Sequence, residues 1–175
     1  MIAEKLQEYH AENIVMDPVM ISTSGHRLME EDAMDSLIRL LLPLADVSTP
    51  NLHEGAALAG CPISSKEDMI HAAGLLRKMT GHPVLLKGGH LADCADDLLY
   101  INDSEQIWYP GKRIRTKNSH GTGCTLSSAI ASGLAQGLSL PAAVKEAKAY
   151  LSGALSAGLE LGHGCGPVDH CFAIK

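Results

Sequence analysis

Pro83-Val84-Leu85-Leu86-Lys87-Gly88-Gly89-His90 runs from an unbroken apolar segment straight into a lysine and two glycines. The apolar part shows no polar alternation, the pattern of a strand covered on both faces in a sheet flanked by helices. The glycines punctuate its end and leave Lys87 at the strand's C-terminal edge. The same layout recurs toward the N-terminus. Ile14-Val15-Met16 is a short apolar strand halted by Asp17-Pro18, because proline cannot donate to a ladder and holds the preceding residue extended. Ala45-Asp46-Val47-Ser48 is another strand, leading into Thr49-Pro50-Asn51. Asp17, the stretch from Asn51 to Glu54, and Lys87 to His90 are thus expected at strand C-terminal ends, where open α/β sheets bind ligands.

The segments between these strands carry helical periodicity. Ile2, Leu6 and Tyr9 share one face of a helix over Met1 to Ala11, with Glu4, Lys5 and Glu8 opposite. Ile21 to Arg27 is polar and loop-like; Met34, Leu37, Ile38 and Leu41 then mark a helix that Pro43 ends. Leu52 to Ala59 reads as a short helix closed by Gly60, with Asn51 and Glu54 one turn apart and able to face one site. Ser65 and Asp68 form a capping-box pattern before a helix that buries Met69, Ala73 and Leu76 and ends near Gly81. Leu98 to Ile101 and Gln106 to Tyr109 read as a β-hairpin, and Arg113 to Thr116 as a short strand. Ser139 and Pro141 open a last helix whose buried stripe is Val144, Ala147, Leu151 and Leu155, broken by Gly162, Gly164, Gly166 and Pro167. The expected fold class is α/β: a mostly parallel sheet flanked by helices, with an antiparallel hairpin, in a single domain over residues 1–175.

Asn118-Ser119-His120-Gly121-Thr122-Gly123-Cys124-Thr125 holds the most pointed chemistry, since it sets two glycines and a cysteine before a run of small helix-compatible residues. Gly121 and Gly123 allow a tight turn and bring bare N–H groups close to an anion at a helix N-terminus. There Cys124 would feel the positive end of the helix dipole, which favours a thiolate. The alternative is a plain tight turn with a buried cysteine. Neither the phosphate-binding loop G-x-x-x-x-G-K-[ST] nor the dinucleotide fingerprint G-x-G-x-x-G is matched. Asp17 and Glu54 are hard oxygen ligands suited to Mg²⁺, and Lys87 is a point charge suited to phosphate; a turn aspartate, a solvated glutamate and a surface lysine are the ordinary alternatives.

A formal net charge of −6 argues against a broad nucleic-acid or anionic-membrane surface, so an anion must be held by a local site. Four tyrosines, one tryptophan and one phenylalanine leave few stacking platforms for bases. Cys61, Cys94, Cys124, Cys165 and Cys171 are odd in number and include no C-x-x-C pair, against a disulfide framework. With neither a signal segment at Met1 nor an apolar run of membrane-spanning length, the expected setting is the cytoplasm. His163, Cys165, His170 and Cys171 are zinc-binding residue types in a spacing that matches no standard zinc pattern. His10, His26, His53, His71 and His82 read as surface or loop residues, and His120 stands apart by its place before the turn.

Met16-Asp17-Pro18-Val19-Met20, Thr49-Pro50-Asn51-Leu52-His53-Glu54, Leu86-Lys87-Gly88-Gly89-His90, His120 to Ser127 and Gly164-Cys165-Gly166-Pro167-Val168-Asp169-His170 together closely resemble the hydroxymethylpyrimidine/phosphomethylpyrimidine kinases of thiamine biosynthesis, which have the ribokinase-like fold. Pyridoxal kinases are the near neighbours. The resemblance implies ATP-dependent phosphorylation of a pyrimidine alcohol, 4-amino-5-hydroxymethyl-2-methylpyrimidine, and then of its monophosphate. It makes Cys124 the catalytic base position, one that many relatives fill with Asp, and the backbone of Gly121, Thr122 and Gly123 the anion hole. It implies that Lys87, Gly88, Asn51, Lys117 and His120 serve the nucleotide, and that Glu54 and Asp17 serve Mg²⁺. Members of the family begin with further strands and helices, including a Gly-rich segment and pyrimidine-pocket residues, so the chain reads as N-terminally truncated. An open sheet edge would follow, to be covered by self-association or a partner. The alternative functions are a non-catalytic or incomplete nucleotide-binding remnant that needs a partner, and a pyridoxal kinase-like enzyme.

Overall fold

In the computed structural model, which describes residues 1–20, 29–89, 95–159, 161 and 163–174, the apolar run becomes β3 (Val84–Leu86), and its three side chains are wholly buried. Full burial of one leucine stabilises by about 1.5–3 kcal/mol, so this strand anchors the sheet. The expected loop from Ile21 to Arg27, together with His90, Cys94 and Gly162, lies outside the described residues. The chain divides into two compact units, Met1–Lys112 and Arg113–Lys175.

The first unit holds a five-stranded sheet in the order β1 (Val15–Met16), β2 (Val47–Ser48), β3, β4 (Asp97–Asn102), β5 (Glu105–Tyr109). β1–β2 and β2–β3 run parallel, while β3–β4 and β4–β5 run antiparallel. The hairpin therefore joins the parallel half directly. Helix α1 (Ile2–Glu8) opens the chain, and α2 (Glu31–Ser36) continues through a wide π-turn, Leu37–Leu41, and a 3-10 turn, Leu42–Leu44. Pro43 explains the change: it has no N–H for the carbonyl four residues back and its ring crowds that carbonyl. α3 (Leu52–Ala59) and α4 (Lys66–Thr80) follow the expected bounds, each with a full capping box and a left-handed glycine at its end. Met69, Ala73 and Leu76 of α4 are buried, with Met69 and Ala73 in one cluster with Leu52, Leu86, Leu98 and Tyr100.

The second unit pairs α5 (Thr122–Ala135) with α6 (Leu140–Ser156). Val144 and Ala147 are buried as expected, Leu151 and Leu155 are half-buried, and Ala143 and Ala154 complete the stripe.

Two expectations need correction. Arg113 to Thr116 is irregular, not a strand; only Ile114 in it is apolar, too little to hold a ladder against a core. His82 is buried, with Nε2 2.7 Å from the Leu42 carbonyl oxygen and Nδ1 2.9 Å from that of Pro83. The face of α1 stays open, with Ile2 at 62% and Tyr9 at 73% exposure. No helix among the described residues is long and apolar enough to cross a membrane.

Candidate functional site

In the first unit, parallel pairing brings three strand ends side by side. Asp17 follows β1, Thr49 follows β2, and Lys87 follows β3. A parallel bridge between Asn51 and Lys87, with Lys87 N–H donating to the Pro50 carbonyl at 2.9 Å, extends this register past the strands. Lys87 Nζ lies 2.7 Å from Asp17 Oδ1, and the Thr49 hydroxyl donates to the same oxygen at 3.0 Å. Asp17 Oδ2 is buried and has no protein partner.

Glu54 reaches this cluster by local geometry. Asn51 caps α3 by accepting the Glu54 N–H at 2.9 Å, and Glu54 Oε2 accepts the Asn51 N–H at 2.7 Å. The capping box bends the carboxylate back toward the strand ends. Only 4% of Glu54 is exposed. Its burial raises its pKa above the ordinary 4.5, and the Asp17 carboxylate pushes the same way; the Asn51 and Met20 N–H groups and Lys87 oppose the rise. Glu54 thus feels the charges of both members of the Asp17–Lys87 pair. Gly88 is placed differently: its N–H donates to Asp97 Oδ1 at 2.9 Å, and a Cβ on it would stand 1.9 Å from the Asp96 carbonyl oxygen.

Among the described residues no three His, Cys, Asp or Glu side chains are grouped to hold a metal. A metal cage made wholly of protein is therefore absent from that part of the chain, and His163, Cys165, His170 and Cys171 do not assemble a zinc site. The Asp17–Glu54 pair still suits Mg²⁺, which commonly takes one or two carboxylates and completes its shell with water and substrate phosphate. The orphaned Asp17 Oδ2 is an unused acceptor of that kind.

The second unit presents its chemistry mainly through the backbone. Gly121 caps α5 at φ 79°, a left-handed conformation that glycine adopts without a Cβ clash. The first intrahelical bond runs from Thr125 N–H to the Gly121 carbonyl at 2.8 Å. Thr122, Gly123 and Cys124 therefore have N–H groups with no acceptor inside the helix, the usual state of a first turn. Cys124 is exposed, which removes the buried-cysteine alternative. A groove of about 650 Å³ runs from the turn along α5 and α6, lined by His120, Gly121, Cys124, Ser128, Tyr150 and His170 among others. Lys117 is exposed just before the turn.

Sequence reading weighed zinc for the segment around Cys165 and His170 and counted it among the family motifs, but gave it no part in the turn on which it closes. His120 bridges Pro167 in parallel, with its N–H donating to the Gly166 carbonyl at 3.2 Å. A Cβ on Gly166 would stand 2.2 Å from Asn118 Oδ1, so the close approach requires glycine. Ser119 Oγ lies 3.3 Å from Cys165 Sγ, and this hydroxyl, with the Ser119 and His120 N–H groups, holds the Cys165 thiol below its usual pKa. Thr49 and Asn118 were also missed as site residues; their neighbours in sequence carried the motifs, but only strand pairing and tail packing reveal their contacts.

The chain matches the phosphomethylpyrimidine kinase family over residues 1–169. It is 47% identical over 172 residues to the hydroxymethylpyrimidine/phosphomethylpyrimidine kinase of Rhizobium meliloti, covering 97% of this chain and 64% of that one. The Streptomyces coelicolor protein of the same description is 46% identical over 160 residues, covering 91% and 59%. This chain thus spans about three-fifths of those relatives' length. The pyridoxal kinase from Staphylococcus aureus, solved in complex with AMP-PCP and pyridoxal, superposes with a TM-score of 0.88 at 32% identity, covering 99% of this chain and 63% of that one. The shared α/β architecture is ribokinase-like. Matched along almost its whole length, with the sheet, the glycines after β3 and the glycine turn before α5 in place, the chain belongs to the phosphomethylpyrimidine kinase family.

Proposed function

We propose that this chain carries the nucleotide and phosphoryl-transfer side of a cytoplasmic ATP-dependent kinase that phosphorylates hydroxymethylpyrimidine and then its monophosphate, with residues 1–175 as the C-terminal, nucleotide-binding portion of a single ribokinase-like domain. The observation that carries this reading is the strand-end cluster of Asp17, Lys87 and Glu54, where a buried carboxylate oxygen has no protein partner. Leaving such an oxygen unsatisfied is costly, so the arrangement suits a cation and a phosphate arriving together. Asp17 and Glu54 would hold Mg²⁺, which when bound offsets charge on the donor phosphates. Lys87 supplies a point charge to phosphate, while Asn51, Lys117, His120 and the backbone at Gly88 belong to the nucleotide side.

In the turn, the N–H groups of Thr122 and Gly123, with Gly121 setting their direction, stabilise negative charge on the transferring group. Cys124 Sγ, as thiolate, takes the proton of the substrate hydroxyl. The hydroxyl oxygen forms its bond to the γ-phosphorus while the bond to the β–γ bridging oxygen breaks, and ADP leaves.

Assay with ATP and, in turn, the pyrimidine alcohol, its monophosphate and pyridoxal tests this. The expected outcome is phosphorylated product from the first two, with turnover about 10²–10⁴-fold lower in Cys124→Ala. The likeness to pyridoxal kinase makes pyridoxal the informative third acceptor. A second reading is favoured by the 59–64% share of the relatives' length and by β1, which among the described residues is paired on one side only. In it the chain binds nucleotide, and a second copy or a partner covers that edge and completes the substrate pocket. Mg·ATP binding without turnover by the chain alone would select it.

A further inference from the structure

His170 has no task in the reading above, yet it lies against the turn. Its Nε2 is 3.0 Å from Thr125 Oγ1. Thr125 is 8% exposed, and its hydroxyl donates to the Gly121 carbonyl at 2.8 Å. A hydroxyl has one proton. With that proton given to Gly121, Thr125 Oγ1 can only accept from the ring, so His170 Nε2 is the donor. The same Gly121 carbonyl takes the Thr125 N–H, giving it two donors from one residue. His170 is itself anchored, since the Tyr150 hydroxyl donates to its carbonyl at 2.9 Å and the Tyr150 ring packs on Phe172 with centroids 5.5 Å apart.

The Gly121 carbonyl and the Thr122 N–H belong to one planar trans peptide and point to opposite sides of it. Holding the carbonyl in toward the helix therefore holds the Thr122 N–H out. Glycine enters several backbone conformations at similar cost, so the plane needs a latch. We propose that His170 is a positioning residue for the anion turn: through Thr125 it fixes the Gly121–Thr122 peptide plane and aims the Thr122 N–H at the phosphate of the bound nucleotide. The phosphate part rests on the function proposed above; the latch does not.

The test uses the full chain, with Mg·ADP binding by calorimetry and backbone amide exchange measured without nucleotide. His170→Leu should weaken ADP about tenfold and speed exchange of the Thr125 amide about tenfold, the scale of one lost hydrogen bond. His170→Gln keeps a donor at the same reach and should restore both to within about twofold. Thr125→Val should reproduce the losses, and the double variant should lose no more than either alone, because both act through one relay. Unchanged exchange and ADP affinity in His170→Leu, or full additivity in the double variant, would overturn the latch. If the wild-type chain binds no ADP, the phosphate role falls, and the exchange data decide the latch by themselves.

Discussion

In the first unit the charged groups are side chains packed away from water: Asp17 is 10% and Lys87 16% exposed, and both lie beside the buried Glu54. In the second unit the groups offered to an anion are backbone N–H donors of one helical turn, and the thiol beside them is exposed. The first region depends on what each side chain is, because removing one charge strands another in a poorly solvated place. The second depends on where the backbone points, so it is sensitive to conformation and to the tail packed against it. One phosphate-handling chemistry is thus expected to fail in two distinguishable ways.

The largest effect should follow from Cys124→Ala. Loss of a general base lowers turnover by about 10²–10⁴-fold. Because the side chain is exposed, the urea midpoint should stay at the wild-type value. Turnover unaffected by this change would separate the turn from the chemistry and leave it as a binding element only.

Lys87→Met should act on the fold as well as on phosphate binding. It leaves Asp17 with an unpaired charge in a largely buried place, at a cost on the order of 3 kcal/mol in urea unfolding. Adding Asp17→Asn should recover much of that loss. If Lys87→Met unfolded like the wild type, the first region would be as tolerant of truncation as an exposed pair, and the contrast would fail.

Gly166→Ala tests the backbone side of the comparison. The added carbon would meet Asn118 Oδ1 at 2.2 Å, so the tail must shift away from His120. Overpacking of this kind costs about 1–3 kcal/mol. Thermal unfolding should register it, and nucleotide affinity should drop with Lys87 and Glu54 untouched.

The smallest effect concerns Glu54. Its pKa is raised on folding, chiefly by burial, so the folded state holds the proton more tightly than the unfolded chain. Stability contributed by the protonated form is therefore complete below the unfolded value near 4.5 and is lost as pH rises through the folded value. Glu54→Gln should remove that slope, with the two proteins converging at low pH. Parallel stability curves across that window would show that Glu54 is better solvated than its surroundings suggest.

Much of the first region is legible in the sequence. Asp17, Asn51, Glu54 and Lys87 each stand immediately after a short apolar run or at a helix cap, and strand C-terminal ends are where α/β sheets gather ligands. Their pairing was not legible. That Asp17 and Lys87 share an ion pair depends on β1, β2 and β3 lying side by side in parallel. The capping box that turns Glu54 inward was visible only as a one-turn spacing. Gly88, read as a nucleotide contact, is tied by its N–H to Asp97, a contact made possible when the hairpin returns antiparallel to β3.

The sequence by itself determined the alternation of strands and helices, the glycine turn before α5 and the family, because these rest on periodicity, capping chemistry and motifs carried by neighbouring residues. Only the tertiary structure decided that His82 is buried against two carbonyls, that Arg113 to Thr116 forms no strand, and that His170 reaches Thr125 across 45 residues. Those outcomes depend on which surfaces meet when the chain folds back on itself. A local pattern can position a residue on its own element, but its partner is set by packing between elements far apart in sequence.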